Sequence, residues 1–263
     1  MSVTETTQSL EGRKVGNVKQ ITEGKSPPGH YPCVLGILTN GIFSREYKML
    51  SNLRPAIFSY NSSIIKIMQE QPEAKDLSQI RQVFSESIGK LVAESNIDSV
   101  TIATPCLEVL GREIADEHDL GFISRNQAIL EECQKNGLRS VGLLGTAWDM
   151  RADSSLAQLL SQHGIKVILP ANEIVPELMT HCVYYEVRGG IYFDGKSYSS
   201  EDFCFGIIDD IVKNDKADGV VLCNGELRYL EKEMRQKWPD LKVVNAMPLH
   251  WRTVRNFIAT PKA

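Results

Sequence analysis

The feature that most constrains this chain is the alternation of short, continuous apolar runs with stretches of helical periodicity. Apolar runs that do not alternate with polar residues are typical of strands covered on both faces. Between them, apolar residues recur every three or four positions in stretches such as 77–95, 149–163 and 201–214. This alternation predicts parallel sheets and an α/β fold. The predicted strands are CVLGILT (33–39), AIFSY (56–60), DSVTIA (98–103), SVGLLGT (140–146), KVILP (166–170), GVVLC (219–223) and KVVNA (242–246).

An internal similarity suggests that the fold has two halves. Asp98 precedes the apolar run SVTIA and Asp218 precedes GVVLC, and each run ends in a polar cluster followed by a new helix. We therefore predict two similar half-domains, each a parallel sheet flanked by helices, with the site in the cleft between them, because open α/β sheets bind ligands at the carboxyl ends of their strands. The predicted divisions are a flexible polar leader (1–30), a first half-domain (31–122 plus 238–263) and a second (123–237).

Composition and charge exclude several classes of function. The net charge is −4 and the basic residues are scattered, which argues against binding nucleic acid. No apolar stretch approaches the roughly 20 residues needed to cross a bilayer, and the N-terminus has no signal-peptide core. The six cysteines form no CxxC pair and fit no zinc spacing, so we predict reduced cysteines, a cytoplasmic location and no metal.

Polar residues follow several predicted strands and are the first candidates for ligand contacts. Asn40 follows the first strand, Asn61 the second and Thr146 closes the strand at 140–146. Gly225 and Glu226 open a helix after GVVLCN, where backbone N–H groups and the helix dipole would bind a carboxylate. The alternative for this turn is a plain helix start with an acidic first turn.

Five segments, in this order along residues 33–255, resemble the aspartate/glutamate racemase superfamily. The segment at 141–170 is similar to that family's strand, Gly-Thr turn, helix and next strand, and ADGVVLCNGEL is similar to its Ala-Asp-x-Val-x-Leu-Gly-Cys-Thr-Glu run. The resemblance implies two α/β half-domains and chemistry without a cofactor. The segments are LGILTNGIF (35–43), DSVTIATPCLEVL (98–110), VGLLGTAWDMRADSSLAQLLSQHGIKVILP (141–170), ADGVVLCNGEL (217–227) and NAMPLHW (245–251).

The resemblance also implies a mechanism in which two thiols flank the α-carbon of the substrate. One thiol removes the proton and the other returns it from the opposite face. In this sequence the two thiol positions fall on Thr104 and Asn224, and an asparagine amide cannot carry a proton. The nearby Cys106 and Cys223 are therefore the candidate acid/base pair. Both can equally be packing residues, because a one-residue slip turns a strand side chain to the other face.

The remaining residues of the motifs are expected to hold the substrate. We expect Thr104, Thr146, Asn224 and Gly225 to orient its carboxylate. Further contacts are expected from Asn40, Asn61, Glu226 and His250, the last of which takes the place of a late histidine in the family.

Asp149 departs from the family pattern, which commonly has threonine at this place. A carboxylate there would repel an acidic substrate. Asp149 therefore either caps the following helix, as aspartate often does, or favours a substrate with a positive group. Arg151 is a candidate to neutralise it.

These observations predict a racemase or isomerase that moves a proton next to the carboxylate of a small amino acid or organic acid. A one-thiol lyase or decarboxylase of the same superfamily is an alternative, because neither thiol position holds a cysteine and a single nearby cysteine acting on one face would suit this chain. A small-acid binding module without catalysis is a second alternative. The expected partners are the small acid and, as in relatives, a second copy of the chain in a homodimer.

Overall fold

The structure of the chain is a computed structural model. It confirms the predicted α/β class. Two four-stranded sheets form it, and all strand pairs within them are parallel. Among the helices in the described part of the chain, none is long and apolar enough to cross a membrane. The residues described are 34–38, 56–60, 77–94, 97–102, 107–184 and 190–259.

The first sheet has the strand order β2-β1-β3-β4, and its central strands coincide with the apolar runs in the sequence. In β3 all four residues are buried, as expected for a strand covered on both faces. The short β4 was not among the predicted strands. The strands are β1 (Val34–Leu38), β2 (Ala56–Tyr60), β3 (Ser99–Ile102) and β4 (Gly121–Phe122).

The second sheet has the order β10-β9-β5-β6, so β9 and β5 are neighbours at its centre. Leu144 at the end of β5 pairs with Leu222 at the end of β9. The residues that follow these two strands therefore emerge side by side. The strands are β5 (Ser140–Leu144), β6 (Lys166–Ile168), β9 (Gly219–Leu222) and β10 (Lys242–Asn245), while β7 (Gly190–Phe193) and β8 (Lys196–Ser199) form a separate antiparallel hairpin that was not predicted.

The position of β10 corrects one part of the predicted division. We had assigned residues 238–263 to the first half-domain, but β10 pairs with β9 along four residues and so belongs to the second sheet. The C-terminal helix that follows β10 nevertheless reaches the first sheet, because the His250 ring contacts Thr101 of β3. The last helix therefore starts at the second sheet and contacts the first.

The helices agree with the predicted periodic stretches at two places and differ at a third. The stretches 77–95 and 201–214 become helices of nearly the same extent, but the stretch 149–163 becomes helical only from Ser155. Ser154 caps that helix, since its side chain accepts from the N–H of Ala157. The helices are α1 (Ser78–Glu94), α2 (Glu108–Glu117), α3 (Arg125–Lys135), α4 (Ser155–Gln162), α5 (Val175–Tyr184), α6 (Ser200–Lys213), α7 (Glu231–Lys237) and α8 (Ala246–Ala259).

The second sheet separates two apolar clusters, one on each of its faces. Val220 and Leu222 of β9 belong to the cluster that includes Ile208 of α6. Val221 and Cys223 belong to the opposite cluster, which includes Leu130 of α3. This alternation is the period-2 side-chain pattern of a strand, and it continues one residue past the end of β9.

Asp218, the acidic residue that precedes β9, has a structural role. The Asp218 carboxylate accepts hydrogen bonds from the backbone N–H groups of Arg139 (2.9 Å) and Ser140 (3.0 Å). These hydrogen bonds hold the pKa of Asp218 below its usual range. Asp218 therefore ties the start of β9 to the start of β5 and aligns the two strands.

Candidate functional site: a buried polar cluster at the strand ends

Three polar side chains meet just past the carboxyl ends of β5 and β9. The Asp149 carboxylate accepts hydrogen bonds from the backbone N–H of Thr146 (3.0 Å) and from its hydroxyl (2.7 Å). The Asn224 side chain also hydrogen-bonds to Asp149. The Asn224 Oδ1 atom accepts a hydrogen bond from the Thr146 N–H at 3.2 Å. All three residues are buried. The sequence predicted Thr146 and Asn224 at one site, and the structure brings them together around Asp149.

Burial decides the acid–base properties of Asp149. Removal from water raises the pKa of this carboxyl, because the charged form loses its hydration. The positive charge of Arg125 and the hydrogen bonds from Thr146 and Asn224 act in the opposite direction but do not cancel the rise. Arg151, which we had considered as the neutralising residue, pairs with Asp153 at 2.7 Å instead. Asp149 is therefore a buried carboxyl whose pKa lies above the normal range for aspartate.

Of the two interpretations of Asp149, helix capping is not what the structure shows. The cap of α4 is Ser154, whose hydroxyl also donates to the Asp149 backbone carbonyl at 3.1 Å. Asp149 instead closes the turn after β5, where its own N–H donates to the Thr146 carbonyl at 2.9 Å. The carboxylate thus folds back onto the strand end.

A glycine makes room for this cluster. A Cβ atom at Gly145 would lie 2.8 Å from Asn224 Oδ1 and 2.8 Å from Asp149 Oδ2, closer than real Cβ contacts. The close approach of the two polar side chains to the β5 backbone therefore requires glycine at this position.

Cys223 is one of the two predicted proton carriers, and its side chain belongs to the apolar cluster of α3. The backbone explains this orientation, because the Cys223 N–H donates to the Leu144 carbonyl (2.9 Å) and continues the strand pairing. Burial, and then the nearby Asp149, raise the pKa of the thiol well above its ordinary value. These surroundings favour a packing role, and the catalytic role of Cys223 stays a prediction.

Gly225 and Glu226 begin a short 3₁₀ segment, Gly225–Leu230, rather than an α-helix. Both residues are buried, and the Asn224 carbonyl accepts from the N–H of Leu227 at 3.1 Å. Their predicted role in holding a carboxylate stays a prediction.

His250 lies where the two sheets come together. Its Nε2 is 2.6 Å from the hydroxyl of Thr101, which donates its single hydrogen to the Ile123 carbonyl at 2.7 Å. The hydroxyl must therefore accept, so His250 carries its proton on Nε2 and presents a bare Nδ1. Burial, followed by the charge of Arg125, lowers the pKa of His250 to about 3. This histidine is neutral at physiological pH.

Sequence reasoning missed Arg125 and Glu108. The Glu108 carboxylate accepts from the N–H groups of Arg125 (3.1 Å) and Asn126 (3.0 Å) and from the hydroxyl of Ser124, so it caps the start of α3. This cap fixes Arg125, whose Nη1 donates to the Cys223 carbonyl at 2.9 Å. The available signal was an arginine between the apolar residues of GFISRNQAIL, a position where a basic side chain needs a buried partner.

Four of the predicted site residues lie outside the described residues: Asn40, Asn61, Thr104 and Cys106. Among the described residues, no group of three His, Cys, Asp or Glu side chains could hold a metal ion.

Comparison with solved structures identifies the fold. A protein from Yersinia pestis classed as a candidate Asp/Glu racemase is 18% identical and matches 87% of this chain and 100% of its own, with a TM-score of 0.64. Glutamate racemase from Francisella tularensis in complex with D-glutamate is 11% identical over 89% of this chain and 84% of its own (TM-score 0.57). An arylmalonate decarboxylase variant with associated sulfate is 16% identical over 88% of this chain and 96% of its own (TM-score 0.52).

At these identities the likeness concerns the fold alone. The chain has the two-sheet α/β fold of Asp/Glu racemases and of arylmalonate decarboxylase, which confirms the fold that the sequence resemblance implied. No protein-family model matches the sequence, and neither does any curated protein.

Proposed function

We propose that this chain is a cofactor-independent enzyme that moves a proton at the carbon next to the carboxylate of a small amino acid or organic acid. The observation that carries the proposal is the buried cluster of Thr146, Asp149 and Asn224 at the carboxyl ends of β5 and β9. Parallel α/β sheets bind their ligands at this edge. Racemases of the same fold, one of them in complex with D-glutamate, support a small acid as the ligand.

In this proposal Asp149 is the proton carrier on the side of the second sheet. Asn224 occupies the position that the family resemblance gives to the second thiol, and its amide cannot exchange a proton. Its hydrogen-bond partner Asp149 can. Burial raises the pKa of Asp149 towards the range in which a carboxyl both gives and takes a proton, as general acid–base catalysis requires. Asp149 thus replaces Cys223 in the role we had predicted for the thiol.

The second carrier in the proposal comes from the segment after β3, where the sequence places Cys106 and Thr104. Asp149 would remove the α-proton to form an enolate-like intermediate, and the thiol of Cys106 would return a proton from the opposite face. Two carriers on opposite faces give racemisation or epimerisation. A single carrier suits two other outcomes. Loss of CO₂ from a malonate-type acid would form the same enolate-like intermediate, which that carrier would protonate, and the shared fold of arylmalonate decarboxylase supports this outcome. Expulsion of a leaving group from the β-carbon of the intermediate would give elimination.

The test is proton NMR of the full chain in D₂O with aspartate, glutamate, other amino acids, hydroxy acids and arylmalonate. We expect the α-proton signal of one of these acids to disappear, or a product signal to grow. Asp149→Asn should slow this exchange by about 10² to 10⁴, the usual contribution of a general acid or base. Asp153→Asn, which removes an exposed carboxylate four residues away, is the matched control and should keep the rate.

Cys106→Ala then separates the outcomes. Loss of racemisation with retained α-proton exchange would identify Cys106 as the carrier on the other face. An unchanged exchange rate in Asp149→Asn would contradict the role of Asp149.

A non-catalytic binding module is the second candidate, because the Asn224 amide cannot carry a proton and the Cys223 thiol lies in the apolar cluster of α3. In that case calorimetry would show binding of a small acid by wild-type protein with no exchange in D₂O.

A further inference from the structure

Arg125 is a buried cation with one edge unused. The residue is 1% exposed, and its Nη1 donates to the Cys223 carbonyl at 2.9 Å. Its Nε and Nη2 have no hydrogen-bond partner among the described residues. The Nε–H and an N–H of Nη2 point the same way along one edge of the guanidinium. That edge matches the two oxygens of a carboxylate, which it binds with two parallel hydrogen bonds.

The neighbouring carboxylates do not occupy this edge. Glu108 uses both oxygens on backbone N–H groups of Arg125 and Asn126 and on the Ser124 hydroxyl. Asp149 is close enough to interact with the Arg125 charge, but its hydrogen bonds come from Thr146 and Asn224. A buried guanidinium with unpaired donors is unfavourable unless an anion or another acceptor is present.

The Arg125 side chain lies among groups from both halves of the molecule. Cys223, whose carbonyl holds Nη1, follows β9 of the second sheet. His250, which the Arg125 charge also affects, is bonded to Thr101 of β3 in the first sheet. Arg125 is therefore at the carboxyl ends of strands from both sheets, which is where this fold class binds ligands.

We propose that the Nε/Nη2 edge of Arg125 is the anchor for the substrate carboxylate. This proposal rests on the proposed function and deepens it. The sequence assigned the carboxylate to Thr146 and Asn224, but in the structure Asp149 already accepts their hydrogen bonds. Arg125 supplies two donors that have no partner among the described residues. The substrate is accordingly an anion with a planar carboxylate, and the corresponding amide would not bind.

The first test is isothermal titration calorimetry of the full chain with succinate, acetate and acetamide. Arg125→Lys keeps the positive charge but loses the planar pair of donors, and we expect its dissociation constant for the carboxylates to rise at least tenfold. Arg139→Lys changes an arginine whose side chain is 89% exposed and should bind as wild type does. Acetamide should not bind to any of these proteins. Equal affinity of wild type and Arg125→Lys would overturn the proposal.

The second test needs only wild-type protein, so it remains valid if Arg125→Lys does not fold. In a crystal structure with malonate, we expect one carboxylate on Nε and Nη2 of Arg125. A water molecule held by this edge and by the bare Nδ1 of His250, with malonate absent or bound elsewhere, would overturn the proposal.

The two proposals fail separately. Carboxylate binding that depends on Arg125, without α-proton exchange, would refute the proposed chemistry and leave the anchor. Exchange with the same KM in Arg125→Lys would refute the anchor and leave the chemistry.

Discussion

The buried histidine in α8 makes this protein's stability depend on pH in a way that can be calculated. His250 is fully buried and neutral, with Nε2 bound to the Thr101 hydroxyl. Its pKa falls to about 3 because of burial and then because of Arg125. Since the folded pKa lies below the unfolded one, the unfolded chain binds the proton more readily. The stabilisation is fully present above the unfolded pKa and is lost as the pH falls from there towards about 3.

The magnitude follows from the two pKa values. With an unfolded pKa of about 6.5 and a folded pKa of about 3, lowering the pH from 7 to 5 removes about 2 kcal/mol of unfolding free energy through His250 alone. Replacement by glutamine, His250→Gln, keeps an N–H donor for Thr101 and removes the titrating group. The variant should therefore lose about 2 kcal/mol less than wild type over the same interval.

The assay is urea unfolding at pH 7 and at pH 5, followed by circular dichroism. Other groups titrate in both proteins, so their contributions cancel in the difference between wild type and variant. His163→Gln, at an exposed histidine on α4's C-terminal cap, reports the effect of removing a solvent-accessible imidazole. If wild type and His250→Gln lose the same free energy between the two pH values, the neutral buried histidine is refuted.

Three further predictions concern the framework of the site. Gly145→Ala places a Cβ 2.8 Å from Asn224 Oδ1 and should lower the free energy of unfolding, measured in urea, by about 1–3 kcal/mol. Gly206→Ala, where a Cβ meets no side chain, should leave the stability unchanged or raise it. Equal effects of the two substitutions would contradict the close-approach argument. Glu108→Gln weakens the cap of α3 and should cost about 1–2 kcal/mol, and an unchanged unfolding midpoint would disprove the cap. Iodoacetamide should label Cys223 only after unfolding, and rapid labelling of native protein in peptide mass spectrometry would show an accessible thiol.

The fold could be predicted because its signals are local. Continuous apolar runs and three- to four-residue periodicity are properties of neighbouring residues, and the structure places β2 at Ala56–Tyr60, as predicted. The errors occurred where tertiary contacts decide. The stretch from 149 has helical periodicity, but Asp149 bonds back to Thr146, so α4 begins only at Ser155.

The orientation of Cys223 was open in the sequence because a one-residue slip reverses a strand side chain. Its direction depends on one hydrogen bond to the carbonyl of Leu144, a residue in a different strand far earlier in the chain. Nothing in GVVLCNGE specifies that bond.

The sequence by itself predicted that the strands at 140–146 and 219–223 end in polar residues and assigned Thr146 and Asn224 to one site, while the pairing of the two strands is a property of the tertiary structure. Only the tertiary structure decided what those residues do. Asp149 accepts their hydrogen bonds. Arg125 bonds to the carbonyl of Cys223, 98 residues away, and has two donors without a partner among the described residues. The physical reason is that strand formation follows from local periodicity, whereas hydrogen bonding and charge depend on which distant groups are buried together.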